Sequence, residues 1–186
     1  MTSDIDHISR RAVLGFGVAA VASSALAAPA IAMNDIPGTR RMRAYHAKTG
    51  EKFDEIYYAD GEYFPEAMDT LDLLFRDYTA NRVIMMDVRL YDLLSAVQTQ
   101  LETSESIRIT SGYRTKKTND ALRRRTSFAA RNSLHIQGMA ADFTLRGARG
   151  SKLAKAAKSL AMGGVGSYRG AEFIHVDVGD VRSWRR

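Results

Sequence analysis

From Glu66 onward the apolar residues recur at helical intervals: Ala67, Leu71, Leu74, Phe75 and Tyr78 share one face, with Asp69, Asp72 and Arg76 elsewhere. A second stripe, Met86, Leu90, Leu94, Val97 and Leu101, predicts a helix from Asp87 to Leu101 with Asp87 as its N-cap. Both stripes read as core-facing. Ahead of them, Tyr45, Phe53, Ile56, Tyr57 and Tyr58 within residues 34–60 suggest short strands or an extended arm. Ile107, Arg108 and Ile109 read as a strand that ends where the chain turns at Ser111-Gly112. Residues 117–131 read as a basic helix or loop anchored by Leu122 and Phe128, and Gly138 to Leu145 as another strand. A helix over Ser151 to Leu160 would bury Leu153, Ala157 and Leu160, with Ser151 as cap and Met162-Gly163-Gly164 as stop. In the last apolar stretch Ile174, Val176 and Val178 suit a core, which turns Phe173, His175 and Asp177 to the other face. Strands separated by helices and long loops predict an α+β domain, a small antiparallel sheet with flanking helices.

The N-terminal pattern is of another kind. Arg10-Arg11 precedes a charge-free, alanine-rich stretch from Ala12 to Met33, and Ala25-Leu26-Ala27 offers small residues for cleavage. This predicts an export signal over 1–27, a short linker over 28–39 and a single domain over 40–186. The adjacent arginines resemble the twin-arginine type, which implies the twin-arginine export machinery as a partner and a bacterial periplasmic destination. The alternative is a retained inner-membrane anchor facing the periplasm. Gly15, Gly17, Ser23, Ser24 and Pro29 weaken the hydrophobicity such an anchor needs.

The 186 residues hold no cysteine. Any metal must therefore be held by His and Asp or Glu, and no thiol nucleophile is available. The net charge of +6 suits an anionic polymer as partner. Arg123-Arg124-Arg125 and the run from Arg182 to Arg186 lack the aromatic interleaving of a nucleic-acid surface, and export argues against that partner, so no nucleic acid is expected. Gly163, Gly164 and Gly166 read as a tight turn before Tyr168, since the Lys-Ser/Thr ending of a phosphate loop is missing.

Four histidines occur, and His135 and His175 each lie near an acid in a region dense with small residues. With Asp142 they would supply the three protein ligands of a catalytic zinc site, which leaves one position for water. No Gly-x-Ser-x-Gly elbow supports a serine hydrolase.

Several separated motifs carry a resemblance over roughly residues 40–186. They are Ser111-Gly112-Tyr113-Arg114 with Thr115 and Asn119; Ser133-x-His135-x-x-Gly138-x-Ala140-x-Asp142; Phe173-Ile174-His175-Val176-Asp177-x-Gly179; and Arg182-x-Trp184. In this order they resemble the zinc D-alanyl-D-alanine-type peptidases of the M15 class, in particular the exported bacterial murein endopeptidases. The resemblance implies a fold shared with the hedgehog signalling domain, a zinc ion on His135, Asp142 and His175, and peptidoglycan as substrate. It also implies Arg114 as a substrate or oxyanion contact and Glu172 as general base. Asp177 is the other candidate base, or a carboxylate that orients His175. Ser133 would donate a hydrogen bond near the site or cap a turn. The expected reaction is hydrolysis of peptidoglycan cross-links; a D,D- or L,D-carboxypeptidase, a dipeptidase and a non-catalytic wall-binding module are the alternatives. Trp184 reads as closing the core, or as stacking on substrate.

Overall fold

In the computed structural model, residues 38–126 and 129–186 are described. The export signal and most of the linker lie outside them, as does Phe128. From residue 40 to 59 the chain forms a hairpin: β1 (Arg40–His46) alternates buried Met42, Ala44 and His46 with more exposed neighbours and pairs antiparallel with β2 (Lys52–Ala59). A two-residue strand, β3 (Glu62–Tyr63), adds to β2.

Helix α1 (Pro65–Leu74) starts with proline in its first turn, where a missing N–H costs nothing. It stops before Tyr78, which the predicted stripe included but which is exposed. Helix α2 (Val88–Gln100) keeps its expected bounds, and Asp87 caps it by accepting from the Arg89 N–H at 3.0 Å. Leu90, Leu94 and Val97 of its stripe are fully buried, each side chain contributing about 1.5–3 kcal/mol.

After α2 come β4 (Ile107–Ser111), α3 (Lys116–Arg123), a 3-10 helix (Leu134–Gln137), β5 (Ala140–Leu145), α4 (Gly150–Ser159), β6 (Gly164–Ser167), β7 (Ile174–Asp177) and β8 (Arg182–Arg185). The order β3-β2-β1-β4-β5-β7-β6-β8 forms one eight-stranded sheet. This corrects the expectation of a small antiparallel sheet: the fold is α+β, but β1–β4 and β6–β8 pair in parallel. Such pairs join segments far apart in sequence, which local alternation cannot signal.

Other expectations also change. Arg149, not Ser151, is the N-cap of α4, and its side chain makes no cap bond; Ser151 lies inside the helix and is exposed. Gly164 and Gly166 lie in β6, not in a turn, because they pair with Asp177 and His175 on β7. Phe173 precedes β7 and packs on Tyr168, with ring centroids 5.4 Å apart. Helices α2 and α4 touch each other and cover the sheet face that carries Met42, Ile109, Phe143, Ile174 and Val176. His175 and Asp177 therefore look to the other face. Among the described residues no helix is long and apolar enough to cross a membrane.

Candidate metal centre

His135 lies in the 3-10 helix, Asp142 on β5 and His175 on β7. Asp142 and His175 are paired residues of adjacent strands, so the sheet register itself sets them side by side. The 3-10 helix ends at Gly138, which adopts φ 70°, a left-handed conformation that glycine takes without steric cost. A Cβ there would meet Ile84 at 2.8 Å. His135, Asp142 and His175 each offer one ligand atom, all lying within 4.8 Å of one another, and all three residues are buried.

The far nitrogens of the imidazoles fix which atoms face the centre. His135 Nδ1 lies 2.6 Å from the Gly112 carbonyl oxygen, and His175 Nε2 lies 3.0 Å from Asp177 Oδ2. A carbonyl and an ionised carboxylate can only accept, so both nitrogens carry hydrogen. The lone pairs are left on His135 Nε2 and His175 Nδ1, 3.2 Å apart, with Asp142 Oδ1 at 3.3 Å and 3.0 Å from them. Two imidazoles, each anchored from behind, and one carboxylate form a donor set that fits zinc.

Arg114 enters from the segment after β4. Its guanidinium donates to Asp142 Oδ2, approaches His135 Nε2 at 3.0 Å and donates to the Ser111 hydroxyl at 2.8 Å. Gly112 lets the chain just before Arg114 lie against the backbone of Phe75, since a Cβ there would sit 2.3 Å from the Phe75 carbonyl oxygen. Asp77 fixes the next residue by accepting from both the backbone N–H and the hydroxyl of Thr115, at 2.8 Å and 2.9 Å. Nothing in the apolar periodicity marks Asp77, because its role depends on a contact 38 positions along the chain.

Burial alone would push the Asp142 carboxyl up, but the imidazoles of His135 and His175 and the Arg114 guanidinium outweigh it and hold it well below the usual range. For His135, burial and Arg114 push the imidazole down against the pull of Asp142. For His175, burial also pushes down, but its bonds to Asp142 and Asp177 prevail and raise it.

Asp177 is fully buried behind His175. Its Oδ2 accepts from His175 and from Arg182 at 2.7 Å; its Oδ1 accepts from Arg182 at 2.8 Å and from the Gly179 N–H at 3.0 Å. Glu172 stands apart: it is exposed in a bend before β7, and its carbonyl oxygen faces the start of α4. Ser133 is the N-cap of the 3-10 helix, without a side-chain cap bond. Trp184 is half-buried, 5.3 Å from the His175 ring, and lies over Gly166, where a Cβ would come within 2.6 Å of the indole. It thus borders the site and does not close the main core.

Residues 34–184 match the family model described as peptidoglycan L,D-endopeptidase MepK, Peptidase_M15_2. The chain belongs to this family. It is 36% identical over 176 residues to peptidoglycan L,D-endopeptidase MepK of Escherichia coli K12, covering 95% of this chain and 97% of that protein. The probable peptidoglycan L,D-endopeptidase MepK of Haemophilus influenzae is 35% identical over 178 residues, covering 95% and 96%. Membership in this M15 peptidase family agrees with the resemblance drawn from the separated motifs, and it spans the whole described site.

Proposed function

We propose that the protein is a zinc-dependent L,D-endopeptidase that hydrolyses cross-links in peptidoglycan. The observation that carries the proposal is the convergence of His135 Nε2, His175 Nδ1 and Asp142 Oδ1, with the far nitrogen of each imidazole already committed. The names of the Escherichia coli and Haemophilus influenzae relatives support the substrate and the L,D class.

Zinc held there would polarise the scissile carbonyl and lower the pKa of a bound water toward about 7. Asp177 keeps the His175 ring oriented, and Arg182 and the Gly179 N–H hold Asp177 in turn. With both carboxylate oxygens engaged behind the imidazole, Asp177 is an orienting group and not the proton acceptor. That role is assigned to Glu172, on its position three residues before His175 and its freedom from side-chain partners among the described residues. Arg114 lies beside His135 Nε2 and the other carboxylate oxygen of Asp142, and would pair with the substrate carbonyl oxygen as negative charge develops on it.

Export through the twin-arginine route to the periplasm belongs to this reading. It is supported by Arg10-Arg11 and the apolar stretch behind them, and by a substrate that lies outside the inner membrane.

Digestion of purified sacculi, with released muropeptides identified by mass, tests the proposal. The expected result is loss of L,D-linked dimers, abolished by a chelator or by His135→Ala and restored by zinc in the wild type. Unchanged digestion by the chelated protein or by His135→Ala would overturn it.

A further inference from the structure

The sheet face opposite the metal centre carries a second concave site. Helix α4, the segment from Tyr168 to Phe173 and the end of β8 line a cavity of about 520 Å³. Buried Ala154 and Ile174 form part of its floor, and Ile174 is the neighbour of His175 on the other side of the pleat. Four exposed cations line it, Arg149, Lys155, Lys158 and Arg185, and no acid does. None of the four has an ion-pair partner among the described residues. Half-buried Phe173 packs on Tyr168 along one wall, with ring centroids 5.4 Å apart, and Tyr168 in turn hydrogen-bonds with Trp184, so this wall joins the cleft to the rim of the metal centre.

Like charges gathered around a concavity repel one another, and no ion pair among the described residues relieves this. An anion entering the cleft would. The rings add a demand for a planar or apolar group beside the charge. A flat lipid headgroup surface cannot reach such a floor, and a small inorganic anion would leave the rings without a contact. A strand that carries carboxylates along a sugar–peptide backbone satisfies both.

We propose that this cleft is a second binding site for a carboxylate-bearing strand of the wall polymer, which holds the enzyme on its substrate through contacts other than those of the metal ligands. The identity of the polymer rests on the function proposed above; the charge and shape of the cleft do not.

Co-sedimentation of the full chain with purified sacculi, in chelator so that nothing is cut, tests the cleft separately from turnover. In Lys155→Glu/Lys158→Glu, affinity for sacculi at low salt should fall at least about tenfold. Hydrolysis of a soluble cross-linked muropeptide dimer, measured with zinc, should stay at the wild-type rate. Lys152→Glu, an exposed charge on the same helix outside the cleft, should bind sacculi as wild type does. Circular dichroism melts confirm that the variants are folded, and Lys155→Gln/Lys158→Gln should show the same loss without introduced acids. The proposal is overturned if the double variant sediments normally, or if Lys152→Glu loses as much binding. Loss of binding to phosphatidylglycerol vesicles in parallel with sacculi would overturn it in favour of a membrane surface. If the protein cuts no muropeptide at all, the endopeptidase reading fails, while co-sedimentation still decides the fate of the cleft.

Discussion

Asp177 and His175 lie two positions apart on one strand and share a hydrogen bond of 3.0 Å, from His175 Nε2 to Asp177 Oδ2. That bond assigns the proton of the ring and directs Nδ1 at Asp142. The Arg182 ion pair at 2.7 Å and 2.8 Å then fixes the carboxylate from behind.

Asp177→Asn keeps the size of the side chain but removes the charge that holds the ring and balances Arg182. Zinc affinity, measured by competition with a chromophoric chelator, should fall about 10–100-fold. Arg182→Lys replaces the two-pronged contact with a single point charge and should give a smaller loss of the same sign.

Glu172→Gln should lower kcat by about 10²–10⁴-fold on a soluble cross-linked dimer while zinc stays bound. The contrast with Asp177→Asn separates the two carboxylates. A Glu172→Gln enzyme with full kcat would remove Glu172 from the mechanism.

Zinc uptake should depend on pH through His175. Its imidazole is raised above the ordinary value in the metal-free protein, so a proton must leave it before Nδ1 can bind. Affinity should therefore decline as pH falls, beginning closer to neutrality than for an unperturbed histidine. Zinc titrations from about pH 8 to pH 5 would read this directly.

Asp77 tests how the segment beside the site is fastened. The carboxyl is buried, which alone would raise it, but bonds from Thr118, Thr115 and Ala80 hold it below the usual range. A group lowered on folding stabilises the fold above its unfolded pKa, and that contribution is lost as pH falls through the folded value. Asp77→Asn should cost about 1–3 kcal/mol in urea unfolding at pH 7. The gap to wild type should close as the solution is made acidic.

Gly166→Ala would place a methyl group against the Trp184 indole, at a separation of 2.6 Å before any shift. Relief of that clash should cost about 1–3 kcal/mol. Trp184 is the single tryptophan of the chain, so a red shift of its emission should report the displaced ring.

The main helices and the face taken by His175 were legible in the sequence because their signals are local. The α2 stripe and its Asp87 cap are read from adjacent residues, and so is the alternation that sends His175 and Ile174 to opposite faces. The parallel pairs were not legible, since Ala44 beside Ile107 joins residues that no short window contains. The same limit hid Asp77. Gly164 and Gly166 misled as turn formers because glycine serves close approach as readily as tight bends, and in β6 the approaching groups are Asp177, Arg182 and Trp184. Ser151 looked like a cap from its residue type alone, yet α4 begins before it.

The two histidines present opposite nitrogens to the centre, Nε2 from His135 and Nδ1 from His175. In side-chain reach they are a long arm and a short arm. An amide that imitates Nε2 must be glutamine, and one that imitates Nδ1 must be asparagine. The centre is thus lopsided by construction, and exchanging the two replacements would leave one arm too short to meet the ion and the other too long for its place.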